Sequence, residues 1–64
     1  MKILVVDDEP LARARLIRLL AQMSDMEVVG EASNGSEALA LIDTLAPDLV
    51  LLAVYAQRLH HLAR

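Results

Sequence analysis

The sequence predicts an α/β fold: three parallel strands in the spatial order 2-1-3, with two crossover helices on opposite faces. Three observations carry that prediction. Two short apolar runs, Ile3-Leu4-Val5-Val6 and Leu49-Val50-Leu51-Leu52, lack any polar alternation, as strands buried on both faces do. Between them lie two stretches whose apolar residues recur at three- and four-residue spacing. Breakers at Pro10, Ser24-Asp25, Ser33-Asn34-Gly35 and Pro47 separate these segments. Strand, helix, strand, helix, strand joined by right-handed crossovers gives a parallel sheet with the first strand in the middle.

The first strand runs from Lys2 to Val6 and ends in Asp7-Asp8-Glu9-Pro10. Pro10 lacks an N–H but suits the first turn of a helix. In that helix Leu11, Ala12, Leu16, Ile17, Leu19, Leu20 and Met23 form the apolar set, while Arg13, Arg15 and Arg18 fall largely opposite, as a solvated face does. Met26–Ala32 reads as a second strand with Val28 and Val29 buried and Glu27 and Glu31 marking an edge. Asn34 or Ser33 caps the second helix, 36–45, whose core stripe is Ala38, Leu41, Ile42 and Leu45. Pro47 prevents its continuation and turns Ala46 away from helical geometry. The third strand covers 48–54. The rest, Tyr55 to Arg64, has no turn residue and reads as a short C-terminal helix with Leu59, Leu62 and Ala63 on one face.

Composition narrows the function. The 64 residues make one domain at most and only a marginal core. Cysteine is absent, which excludes a disulfide framework and thiol chemistry. With one aromatic residue, the core must come from Leu, Val, Ile, Ala and Met. A chain this apolar is hard to close without leaving hydrophobic surface, and such surface marks a partner. The net charge is −3 and no basic patch points to nucleic acid. Charge is uneven along the chain, because residues 58–64 hold Arg58 and Arg64 but no acid. No apolar run reaches membrane-spanning length and no signal-peptide stretch follows Met1-Lys2, so the expected location is cytoplasmic and away from membranes. His60 and His61 are adjacent and would point to different sides of a helix, which is poor geometry for a shared metal. No phosphate loop, catalytic triad or Cys/His cluster occurs, and no enzyme is expected.

The acidic corner at Asp7, Asp8 and Glu9 is the candidate site. It stands where a buried strand hands over to a helix, at the carboxyl edge of the sheet where open α/β folds bind ligands. Crowded carboxylates invite a divalent cation, and oxygen-only donors suit Mg²⁺ better than zinc. Two readings stand side by side: a metal site, or acids that cap the helix and favour its positive end.

Three segments together resemble a known family. Val5-Val6-Asp7-Asp8-Glu9-Pro10-Leu11-Ala12-Arg13, then Val28-Val29-Gly30-Glu31-Ala32-Ser33-Asn34-Gly35-Ser36-Glu37-Ala38-Leu39, then Pro47-Asp48-Leu49-Val50-Leu51-Leu52 resemble, in order and spacing, the receiver domain of bacterial two-component response regulators. The Asp-Glu-Pro-Leu-Ala-Arg wording is most similar to regulators with a LytTR-type DNA-binding domain. The resemblance implies a flavodoxin-like fold, a sensor histidine kinase as partner, and Mg²⁺ held by Asp7 and Asp8. It places the phosphoacceptor position at Ala53 and a metal-ligating backbone carbonyl at Tyr55.

Against the family pattern the chain reads as a truncated receiver, residues 1–54, followed by an altered helical tail, 55–64. An alanine methyl takes no phosphoryl group, so phosphorylation is expected to fail and the Mg²⁺ site to be weak or vestigial. The alternative reading is a structural half-fold that works by pairing, with itself or with another receiver. A homodimer is expected in which Val50, Leu51, Leu52, Val54, Leu59 and Leu62 form the interface, and no contact with DNA from this chain alone.

Overall fold

The structure is a computed structural model and describes residues 1–52. Its elements are β1 (Lys2–Val6), α1 (Pro10–Ala21), β2 (Glu27–Ala32), α2 (Gly35–Leu45) and β3 (Leu49–Leu52). Both strand pairings are parallel and the order is β2-β1-β3, the β-α-β-α-β arrangement of a flavodoxin-like fold. The expected C-terminal helix and the domain boundary at residue 54 lie outside the described residues.

β1 earns its central position by sequence. Ile3, Leu4, Val5 and Val6 are all buried, and they alternate between two cores. Ile3 and Val5 face α1 with Leu20, Leu16, Ile17, Val28 and Leu51. Leu4 and Val6 face α2 with Ala32, Ala38, Leu41 and Val50. Each such side chain contributes about 1.5–3 kcal/mol by leaving water, so this one strand anchors both faces. The base of the sheet is closed by a reciprocal pair: Lys2 N–H donates to Asp48 Oδ2 and Asp48 N–H to the Lys2 carbonyl, each at 2.8 Å.

β2 is not a regular strand. Ile3 pairs with Val28 but Leu4 pairs with Gly30, so Val29 is an inserted residue. The bulge changes the phase of the strand, which lets Val28 face the α1 core while Gly30 and Ala32 turn to the α2 side. Space favours glycine there: a Cβ on Gly30 would stand 2.7 Å from Cδ1 of Leu45, so that side chain would have to shift. Val28 and Val29 are accordingly half-buried, not buried as the sequence had implied.

Both helical stripes are narrower than the periodicity indicates. In α1 the sheet contacts come from Leu16, Ile17 and Leu20, whereas Leu19 is exposed and Leu11 is 75% exposed, and Met23, expected on the same stripe, lies exposed in the turn after the helix. Leu11 lies nine residues from Leu20, half a turn out of phase at 3.6 residues per turn, so it points away from the sheet. In α2, Ala38 is buried and Leu41 and Leu45 half-buried, but Ile42 sits at the rim and is exposed. β3 also differs from a strand buried on both faces: Val50 and Leu51 are half-buried and Leu49 and Leu52 exposed.

Candidate functional site

Asp7 follows the last residue of β1 and is 1% exposed, the one buried charged residue among those described. Three hydrogen bonds fix it. Its N–H donates to the Ala32 carbonyl at 3.0 Å, continuing the β1–β2 ladder past the strand end. Its Oδ1 accepts from the Glu9 N–H at 3.0 Å, closing a turn over Asp8. Its carbonyl accepts from an Arg13 guanidinium nitrogen at 2.8 Å. Asp8 and Glu9 are exposed.

The capping residue of α1 is Glu9, whose Oε1 accepts from the Leu11 N–H at 3.3 Å, and not an aspartate. Asp7 therefore serves the turn before the helix, and Asp8 has no capping duty. With Pro10 at the first helical position, the loop is short and sharply set.

Arg13 corrects a sequence expectation. It is not on the solvated face with Arg15 and Arg18. It lies seven residues, two turns, before the buried Leu20 and so shares the inner stripe, where it meets the edge of the sheet at Asp7 and Glu31. Its side chain is 19% exposed, and Nε donates to Glu31 Oε1 at 2.7 Å. The spacing to Leu20 was the available signal.

The second loop at this edge is equally organised. Asn34 Oδ1 accepts from the Glu37 N–H at 2.9 Å, capping α2 as expected. Glu37 Oε1 accepts from the Ser33 N–H at 2.7 Å and the Ser33 hydroxyl at 2.8 Å. Those two bonds, the backbone one first, hold the Glu37 carboxyl below its ordinary pKa, and the Arg13 charge adds to the effect.

On the other side of β1, Val6 pairs with Leu52, so Asp7 and the end of β3 stand at the same edge. That edge, where the order reverses between β1 and β3, is the ligand crevice of such a sheet. Ala53 and Tyr55, and with them Val54, Leu59 and Leu62, lie outside the described residues. Among the described residues no group of three or more His, Cys, Asp or Glu could hold a metal ion. The donor chemistry nonetheless fits Mg²⁺: Asp7 and Asp8 are hard oxygen ligands, and this ion commonly takes one or two carboxylates and fills its shell with water. Among the described residues no helix is long and apolar enough to cross a membrane.

This fold and this acidic edge define a class. The chain belongs to the response regulator receiver domain family, which it matches over residues 3–60. It is 58% identical over 55 residues to the positive alginate biosynthesis regulatory protein of Pseudomonas aeruginosa, covering 84% of this chain and 22% of that protein. It is 44% identical over 59 residues to the transcriptional regulatory protein BtsR of Escherichia coli, covering 92% and 25%. A third relative, protein-glutamate methylesterase/protein-glutamine glutaminase 3 of Anaeromyxobacter dehalogenans, is 46% identical over 54 residues, covering 84% and 16%. The chain spans about a quarter or less of the length of these relatives.

Proposed function

We propose that the chain is a signalling module of the LytTR-type regulator group that keeps the acidic half of a receiver phosphorylation site and does not accept phosphate. One observation supports this most directly: the buried, three-fold hydrogen-bonded Asp7 beside the exposed Asp8, at the crevice edge where β1 and β3 end together. In a phosphoryl transfer of this class a bound Mg²⁺ supplies neutralisation of the carboxylates and the transferring oxygens. Asp7 and Asp8 would hold it, weakly. Ala53 takes the acceptor position by the family register and offers no nucleophile. Asp7 is committed to its turn and is no substitute in an in-line attack. The chain's partner in this reading is a sensor histidine kinase. It has no catalytic activity of its own and no DNA contact.

Incubation with a small-molecule phosphodonor and Mg²⁺, followed by intact mass, tests the reading. The unmodified mass is expected, and a stoichiometric phosphoryl adduct would overturn it.

A second reading is favoured by the β3 margin. Leu52 is 54% exposed and Leu49 39%, on an uncharged strand paired on one side only among the described residues. Such an edge is a template for pairing. In this reading the chain is a homodimer, and its interface comprises Val50, Leu51, Leu52, Val54, Leu59 and Leu62. Sedimentation across a range of concentrations tests it, and a folded monomer at every concentration would sink it.

A further inference from the structure

We infer that Arg13 is a positioning residue for the acidic corner: held by Glu31 on β2, it fixes the backbone of Asp7 and thereby the direction in which Asp7 and Asp8 present their carboxylates. The inference rests on the metal reading above for its consequence, but its geometry stands without a metal.

Asp7 has two main-chain groups and one carboxylate oxygen engaged. One of those bonds joins two main-chain groups, and the second needs only the carboxylate of Asp7 itself. The third, at the carbonyl, depends wholly on Arg13. This carbonyl belongs to the peptide that leads into Asp8, so its orientation sets where the Asp8 side chain starts. A guanidinium with a rigid fork can bind a carbonyl and a carboxylate at once. Arg13 does so, with one terminal nitrogen on Asp7 at 2.8 Å and Nε on Glu31 at 2.7 Å. Glu31 itself pairs with Val5 in the sheet, so the clamp is referred to rigid backbone. At 19% exposure the Arg13 side chain is mostly removed from water, which makes it a fixed support and not a wandering surface charge. Residues one step behind a ligand orient it, and their loss weakens metal affinity by about tenfold or more.

The test is amide NMR on the 64-residue chain, wild type against Arg13→Ala, Arg13→Lys and Glu31→Gln, first without metal and then titrated with MgCl₂. Without metal, Arg13→Ala is expected to shift the Asp7, Asp8 and Glu9 amides and speed their hydrogen exchange, while the Ile3, Leu4 and Val5 amides hold still. Arg13→Lys should restore the corner in part, and Glu31→Gln should disturb it less than Arg13→Ala. With Mg²⁺, Arg13→Ala should raise the apparent dissociation constant about tenfold. Unchanged corner amides in both Arg13→Ala and Glu31→Gln would overturn the inference. So would wild-type Mg²⁺ affinity in Arg13→Ala. Should the wild type ignore Mg²⁺, the metal reading falls, and the metal-free amides still decide whether Arg13 positions the corner. Should Arg13→Ala fail to fold, Glu31→Gln carries the comparison alone.

Discussion

The two margins of the sheet are built on different principles. β2 carries Glu27 and Glu31, both exposed, and a bulge that distorts its outer line. Charges and bulges discourage a further strand from pairing there. β3 carries four aliphatic residues and no charge, with Leu49 and Leu52 exposed. The difference teaches how each margin meets its surroundings among the described residues: β2 presents charge to water, whereas β3 presents aliphatic side chains.

Breaking the β3 side should have the largest effect. Val50 packs against the Leu4, Val6, Ala32 and Ala38 cluster. Val50→Asp removes that burial and leaves a carboxylate without a partner, a loss of about 3 kcal/mol or more. At about 0.05 kcal/mol per residue a chain of 64 residues holds as little as about 3 kcal/mol, so the variant is expected to be unfolded by circular dichroism. A cooperative melt near that of wild type would refute this. On the homodimer reading, Leu52→Asp, at the exposed position of the same strand, should keep the fold and shift sedimentation toward monomer.

On the β2 side the corresponding break is steric. Gly30→Ala places a methyl against Leu45, and since the obstacle is the end of a flexible side chain, Leu45 can yield. A loss of about 1–3 kcal/mol is expected for such overpacking, read as a lowered urea midpoint with unchanged slope. An unchanged midpoint would mean that α2 adjusts without strain.

The sequence disclosed the fold because its signals were local: an unbroken apolar strand, two amphipathic stretches, and breakers between them. It disclosed Asp7 and Asp8 because acids at the end of a buried strand are conspicuous. The Val29 bulge was hidden, since Val28-Val29-Gly30 reads equally as a regular strand and only pairing with Ile3 and Leu4 exposes the extra residue. Arg13 was hidden because charge argued for solvent, while its two-turn spacing from Leu20 argued for the inner stripe. Near a helix end the inner stripe runs past the core, and a long polar side chain can occupy it. Leu11 and Ile42 fail for the converse reason: apolar character alone does not say which side of the helix faces the sheet.

The helix that links the two margins offers smaller tests at its ends. At the β3 end, Ala46 caps α2 in left-handed geometry with φ 47°. A Cβ is unfavourable there, by about 1–2 kcal/mol, while glycine loses part of that advantage through its freer unfolded chain. Ala46→Gly should therefore raise stability by up to about 1 kcal/mol. A lower melting temperature would show that Pro47 constrains this position more than the Cβ does.

At the β2 end the smallest effect is electrostatic, and its direction is fixed. The Glu37 carboxyl is held below its ordinary value of 4.5, chiefly by the Ser33 N–H, then by the Ser33 hydroxyl and the Arg13 charge. A group whose folded pKa is depressed contributes stability above its unfolded pKa, and loses it as pH falls through the folded one. Wild type should thus lose an increment of stability below about pH 5 that Glu37→Gln never had. The measurement is the difference between the urea midpoints of wild type and Glu37→Gln at each pH. That difference should be greatest near neutrality and shrink as the pH falls through the folded-state pKa. Glu37 is fully exposed, so water screens the effect and it will be small. In an Arg13→Ala background the difference should shrink further, because one of the forces holding the carboxyl ionised is gone. Midpoints that stay parallel from neutral to acid pH would show that the Ser33 bonds are as strong with a neutral amide as with a carboxylate.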